Sequence, residues 1–353
     1  MKQLIRRSKL SLFVVCLLSV ASLATSARAA PLRVVTTMPC YADIAKRVGG
    51  NRVTAEALVK GYQDPHFLRP KPSLANKLKN ADLLVSTGLD LELWLPSLID
   101  LSRNPEIRSG QRRYVSASQG VTLLEIPTVK SRVNGGVHLF GNPRICTSPI
   151  NAKVIARNIA TGLIKVDPRS EETYRKNLHL FAEEIDRRLY GKRLIEILGA
   201  RILNRMVTNP DRLVAFLEEK QYKGKPLIEY LGGWLKKGLP LRGRKIVGYH
   251  KNWAYFNHLF GLKMVNYLEP RPAIPPTPKH IEQVIEQMRQ EKISVVVAAN
   301  YFPEDRVRLV AERVGATAVI VSMDVGGMPK VTNYFEYIDH LLDALLNVFA
   351  NQG

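Results

Sequence analysis

From residue 32 onward, apolar runs of strand length alternate with stretches of three-to-four apolar spacing, in two blocks separated by one long amphipathic stripe. Strands at Leu32 to Thr37, Val53 to Val59, Asp82 to Thr87 and Tyr114 to Ala117 are expected to alternate with helices at Tyr41 to Val48, Pro72 to Lys79 and Leu91 to Ile99. The second block repeats the pattern, with strands at Lys245 to Tyr249, Ile293 to Ala298 and Ala316 to Ser322. Its helices are Trp253 to Phe260, Pro278 to Arg289, Pro303 to Val314 and Tyr334 to Phe349. Alternation of this kind produces parallel sheets covered on both faces. The expected fold class is α/β, with two doubly wound lobes.

The stripe between the blocks places Tyr174, Leu178, Phe181, Ile185 and Leu189 on one helical face, with Glu171, Glu172, Lys176, Glu184 and Arg187 opposite. Twenty helical residues run about 30 Å, enough to lie along both blocks. The expected organisation is an N-terminal lobe at 30–165, a connecting helix at 166–190, a basic helix-prone elaboration at 191–240 and a C-terminal lobe at 241–353.

Residues 1–29 read as a cleaved export signal. Lys2, Arg6, Arg7 and Lys9 precede an apolar stretch from Leu10 to Leu23, and Ala27-Arg28-Ala29 offers small residues at the two positions a signal peptidase reads. Val15 before Cys16 argues against a lipoprotein signal, so a soluble periplasmic protein cleaved after Ala29 is expected. Cleavage removes five of the 52 basic residues and none of the 31 acidic ones, leaving a net charge of +16. In an exported chain that excess suits anionic membrane surfaces or protein partners, and the charges are too scattered for a nucleic-acid site. Cys40 and Cys146 survive cleavage; whether they pair is not legible.

Three metal-capable side chains follow strands in the two blocks, where open α/β sheets bind their ligands. His66 lies in Asp64-Pro65-His66, His250 follows the strand ending at Tyr249, and Asp324 follows the strand ending at Ser322 with Gly326-Gly327 behind it. Imidazole with carboxylate suits zinc, manganese or iron without choosing among them. His179, His258, His280 and His340 fall within expected helices and read as packing or surface residues.

Ordered along the chain are Asp64-Pro65-His66 with Pro72-Ser73, Ala81-Asp82-Leu83, Leu91-Glu92-Leu93-Trp94-Leu95, and Val137-His138 to Gly141-Asn142-Pro143. They continue with Tyr249-His250-Lys251-Asn252-Trp253-Ala254-Tyr255-Phe256, Glu269-Pro270-Arg271-Pro272-Ala273-Ile274-Pro275-Pro276 and Asp324-Val325-Gly326-Gly327. In these stretches the chain resembles the solute-binding receptors of bacterial metal-ion ABC transporters, the zinc and manganese group of ZnuA/TroA type. The resemblance implies two lobes joined by one long helix, a divalent metal held between them as transported ligand, and a membrane permease as partner, served by a monomer. It places the ligands on His66, His250 and Asp324. The family commonly has a fourth, a histidine directly after Gly-Asn-Pro, where this chain carries Arg144.

A guanidinium has no lone pair to give a metal and repels a dication. Three outcomes stay open: His138 substitutes for the missing ligand, three ligands hold the metal with water, or Arg144 takes an anion or pairs with Asp324. Residues 101–137 contain no histidine, so a His-rich zinc-scavenging loop is absent. The leading reading is a metal-capturing binding protein that is not an enzyme. One rival is a family member with a degenerate site, a non-transporting binder or adhesin, which an Arg144–Asp324 salt bridge would favour. The other is a metallohydrolase, because two imidazoles and a carboxylate also make a catalytic zinc pattern; neither an HExxH helix nor a nucleophile elbow supports it.

Overall fold

A computed structural model describes residues 30–128, 138–269 and 274–350. The export signal with its cleavage point, and Pro270 to Ala273 of the proline-rich motif, lie outside the described residues.

The first sheet contains β1 (Leu32–Thr36), β2 (Val53–Ala57), β3 (Leu83–Ser86) and β4 (Tyr114–Ser116), all parallel in the order β2-β1-β3-β4. Helices α1 (Pro39–Gly49), α2 (Pro72–Lys79) and α3 (Leu95–Ser102) connect these strands. Every residue of β3 is buried, as a strand covered on both faces requires. The helix expected from Leu91 begins only at Leu95. Asp90 takes a left-handed backbone (φ 54°), and the buried Glu92 turns inward to accept hydrogen bonds from the Thr37 hydroxyl (2.5 Å) and the Thr87 amide (3.0 Å).

After the first sheet comes α4 (Pro149–Val166), a helix missed by the sequence reading because its buried face is rich in alanine (Ala152, Ala156, Ala160) and offers little contrast. The expected long helix is α5 (Glu171–Tyr190), preceded by a single 3-10 turn. Glu171 and Glu172 in its first turn and Arg187 and Arg188 in its last complement the helix dipole. It touches both halves of the molecule. Asn177 donates to the Val48 carbonyl of α1 (3.0 Å), and Phe181 stacks on Phe335 with centroids 5.8 Å apart.

The stretch that follows holds α6 (Lys192–Leu198), α7 (Ala200–Met206), α8 (Pro210–Glu219), a two-stranded hairpin and α9 (Gly233–Gly238). Leu194, Leu203, Leu213 and Leu217 bury their side chains in the main core.

For the second sheet we number its strands β5 (Lys245–Gly248), β6 (Lys263–Tyr267), β7 (Val295–Ala299) and β8 (Thr317–Val321), parallel in the order β8-β7-β5-β6. Strand β6 was not anticipated: its residues are only half-buried at a sheet edge, so the run carries no continuous apolar signal. Helices α10 (Ala254–Phe260), α11 (Pro278–Gln290), α12 (Glu304–Glu312) and α13 (Tyr334–Ala350) cover this sheet.

The two lobes share one hydrophobic core, which runs from Val34 and Ile44 through Tyr174 and Phe181 to Tyr334 and Leu342. Polar links cross between them as well. The Tyr334 amide donates to Asp43 of α1 (3.0 Å), and the Tyr255 hydroxyl donates to the Asn142 carbonyl (2.7 Å). Backbones meet where Gly61 faces the Gly326-Gly327 turn. A β-carbon on Gly61 would lie 2.3 Å from the Val325 carbonyl oxygen and 2.4 Å from the Gly327 nitrogen. Neither atom belongs to a side chain that can rotate away. Gly61→Ala is therefore expected to force the contact apart and cost about 1–3 kcal/mol, read as a lowered melting temperature in thermal denaturation.

Candidate metal centre

The site lies where loops from the carboxyl ends of both sheets meet. Asp64 caps the short turn Pro65–Phe67, accepting from the His66 amide (3.0 Å) and meeting His66 Nδ1 at 2.6 Å. The Trp94 indole donates to the Pro65 carbonyl (2.7 Å) and fixes the turn from beneath. His138 is oriented in the same way from elsewhere in the chain, with Asp90 Oδ1 3.1 Å from its Nδ1 and Asp90 Oδ2 accepting from the Leu139 amide (3.2 Å). His250 sets its Nδ1 2.9 Å from the Glu269 carbonyl oxygen. An ionised carboxylate or a carbonyl can only accept, so each Nδ1 carries the proton and each Nε2 keeps a lone pair. His66 Nε2 and His138 Nε2 then face each other at 3.1 Å, with the His250 ring edge-on to His66 at 6.1 Å between centroids.

Burial holds all three imidazoles below their ordinary range, and Asp64 and Asp90 offset it only partly for their partners. His138 falls to about 4, with His66 and Arg144 adding to the effect of burial, and His250 also falls to about 4. For Asp64, burial pushes upward, but the hydrogen bonds and charges of His66 and Arg144 prevail and hold the carboxyl below its ordinary value. The imidazoles are thus neutral at pH 7, the form in which they bind metals.

Asp324 is placed differently from the other two expected ligands. Its Oδ1 accepts from the Cys40 amide (2.8 Å) and the Val325 amide (2.7 Å), which ties the start of α1 to the opposite lobe. Burial pushes its pKa up to about 7 against those hydrogen bonds. Cys40 and Cys146 are free, buried thiols beside it, and burial raises both. Among the described residues, no three His, Cys, Asp or Glu side chains are grouped closely enough to hold a metal as they stand. His66 and His138 bring their Nε2 atoms within 3.1 Å of each other.

Arg144 enters the site rather than pointing to solvent; its side chain is 2% exposed. Its Nη2 donates to the Tyr301 hydroxyl (3.1 Å) and lies 3.9 Å from Asp64, while no ion pair with Asp324 occurs among the described residues. The contact expected of a degenerate site is therefore absent there. Reading the sequence missed Asp90, Tyr301 and Asn252. Asp64 could have been found, because an Asp two residues before a loop histidine commonly caps its turn.

The periplasmic zinc-uptake component A family, ZnuA, matches residues 34–189 and 228–348. A manganese ABC transporter substrate-binding lipoprotein, PsaA of Streptococcus pneumoniae, is 25% identical over 294 residues, covering 81% of this chain and 79% of that protein. The metal ABC transporter substrate-binding lipoprotein FimA of Streptococcus parasanguinis is 24% identical over 312 residues, covering 86% and 85%. In three dimensions, a ZnuA deletion mutant with zinc bound superposes with a TM-score of 0.65 at 21% identity, over 90% of this chain and 98% of that one. The manganese-bound periplasmic metal-binding protein of candidatus liberibacter asiaticus gives a TM-score of 0.62 at 19% identity, over 90% and 98%.

Three buried imidazoles kept neutral imply a definite pH dependence for the metal-free protein. Each folded pKa lies below the unfolded value near 6.5, so the unfolded chain binds more protons and stability falls with pH between about 6.5 and 4. Asp324 works the other way, since its raised pKa favours folding at lower pH, but one carboxyl opposes three imidazoles. Melting temperatures of the metal-free protein are expected to drop across that window, and less steeply in His250→Gln.

With nearly all of its two-lobed fold inside the matched stretches, the chain belongs to the ZnuA family of periplasmic metal-uptake components.

Proposed function

We propose that the protein is the extracytoplasmic receptor of a metal-ion ABC importer, capturing manganese, zinc or iron(II) between its lobes through His66, His138 and His250 and delivering it to a membrane permease. The relatives named above are receptors of such importers, and solved structures of this fold hold zinc and manganese.

The observation that carries the ligand assignment is the facing pair of Nε2 atoms. Two lone pairs 3.1 Å apart repel unless a cation or proton lies between them. Tetrahedral zinc at about 2.0–2.1 Å from each nitrogen would set them about 3.4 Å apart, close to the spacing found. Asp90 and Asp64 support this as outer-shell carboxylates, which fix the ring and raise its basicity. His250, with its Nε2 free, supplies the third ligand. Asp324 completes the set if it releases one backbone amide; otherwise it serves as the strut between the lobes. His138 thus takes over from the family's histidine at the position of Arg144.

Metal bound this way undergoes no chemistry and is held as cargo. The chain is proposed to act as a monomer, exported with cleavage after Ala29.

Isothermal calorimetry of the chelator-stripped protein with zinc, manganese and iron(II) tests the assignment. One metal per chain is expected. His138→Ala should weaken binding by more than the ~10–100-fold typical of losing an outer-shell partner, and Asp90→Asn should fall within that range. Unchanged affinity in His138→Ala would show that His138 is no ligand.

A further inference from the structure

Arg144 is a buried cation whose partners do not satisfy it. Its Nη2 meets the Tyr301 hydroxyl, and the neighbouring His66 Nδ1 at 3.5 Å is itself a donor held by Asp64. The nearest carboxylate is 3.9 Å away and already engaged by His66. Its Nη1 is buried with no hydrogen-bond partner. A guanidinium withdrawn from water with only this distant, shared carboxylate beside it is costly. Nearby stands the complementary defect. Asn252 is fully buried and donates through Nδ2 to the same Tyr301 hydroxyl (3.2 Å), while its Oδ1 accepts from nothing. An unmet donor and an unmet acceptor thus flank one phenol between the lobes, beside the imidazoles. A dication among neutral imidazoles would add to the positive charge there.

We propose that the cargo is a metal ion accompanied by a small oxyanion, a carboxylate or carbonate, that bridges the metal and the Arg144 guanidinium. One oxygen of the anion occupies a metal position that the three imidazoles leave open. Another accepts from Arg144, and a hydroxyl of a bicarbonate or hydroxycarboxylate donates to Asn252 Oδ1. The anion converts the repulsion between guanidinium and dication into two favourable contacts. It deepens the metal-receptor reading above and rests on it.

The test is calorimetry of zinc and manganese binding to the chelator-stripped protein in carbonate-free buffer, repeated with bicarbonate, acetate or citrate, with free metal corrected for its complexes in solution. At least one of these anions is expected to tighten metal binding in the native protein by about tenfold or more, equivalent to about 1.4 kcal/mol. By linkage, metal should tighten the binding of that anion equally, visible as a metal-dependent bound signal of the carbon-13-labelled anion in NMR. In Arg144→Met the ratio of affinities with and without anion should fall to one, and Asn252→Leu should lower it partway. A gain with bicarbonate alone identifies inorganic carbonate, and a gain with citrate alone a metal–carboxylate chelate. Equal metal affinity in every arm, or a gain that survives in Arg144→Met, overturns the proposal and leaves the metal receptor standing. No metal binding in any arm overturns both.

Discussion

The arrangement of the cleft depends on a set of buried hydrogen bonds that fix one sheet's loops against the other's. Asn142 is central to it. Its side chain donates to the Lys251 carbonyl (2.8 Å), its carbonyl accepts from the Tyr255 hydroxyl, and its Oδ1 receives the Arg144 amide (2.9 Å). One residue thereby holds the Arg144 backbone in place and positions it against the segment that carries His250. Asp324 makes the equivalent link on the other side of the cleft, from β8 to the first turn of α1. Because these groups are dry, each lost bond would leave an unsatisfied partner costing about 1–3 kcal/mol. The spacing between the lobes is therefore set by polar chemistry on top of a shared apolar core.

The three imidazoles are each held through one ring nitrogen. Asp64, Asp90 and the Glu269 carbonyl each hold an Nδ1, so the tautomer is decided before any cargo arrives. Burial then removes the competing proton by keeping all three rings neutral. Arg144 is the exception, a permanent cation buried among these neutral rings.

Much of the fold was legible because strands buried on both faces, such as Leu83–Ser86 and Val295–Ala299, are almost continuously apolar. The helix Pro149–Val166 and the strand Lys263–Tyr267 were not, since one packs through alanines and the other lies half-exposed at a sheet edge. His66 and His250 could be singled out by position after a strand. The orientation of His138 could not, because it comes from Asp90, a left-handed loop residue 48 positions earlier. Asp324 was expected as a ligand from its place in the chain. That its Oδ1 is shared between two backbone amides depends on the distant first turn of α1, which no local pattern records.

The helix Glu171–Tyr190 has a further consequence. It packs on α1 at Asn177 and on α13 at Phe181, and Tyr174, Ile185 and Leu189 along it are wholly buried. Rotating one lobe away from the other would strip that helix of its cover on one side. A body built this way has no cheap hinge, because any opening would expose Tyr174, Ile185 and Leu189 on the helix that joins its two sheets.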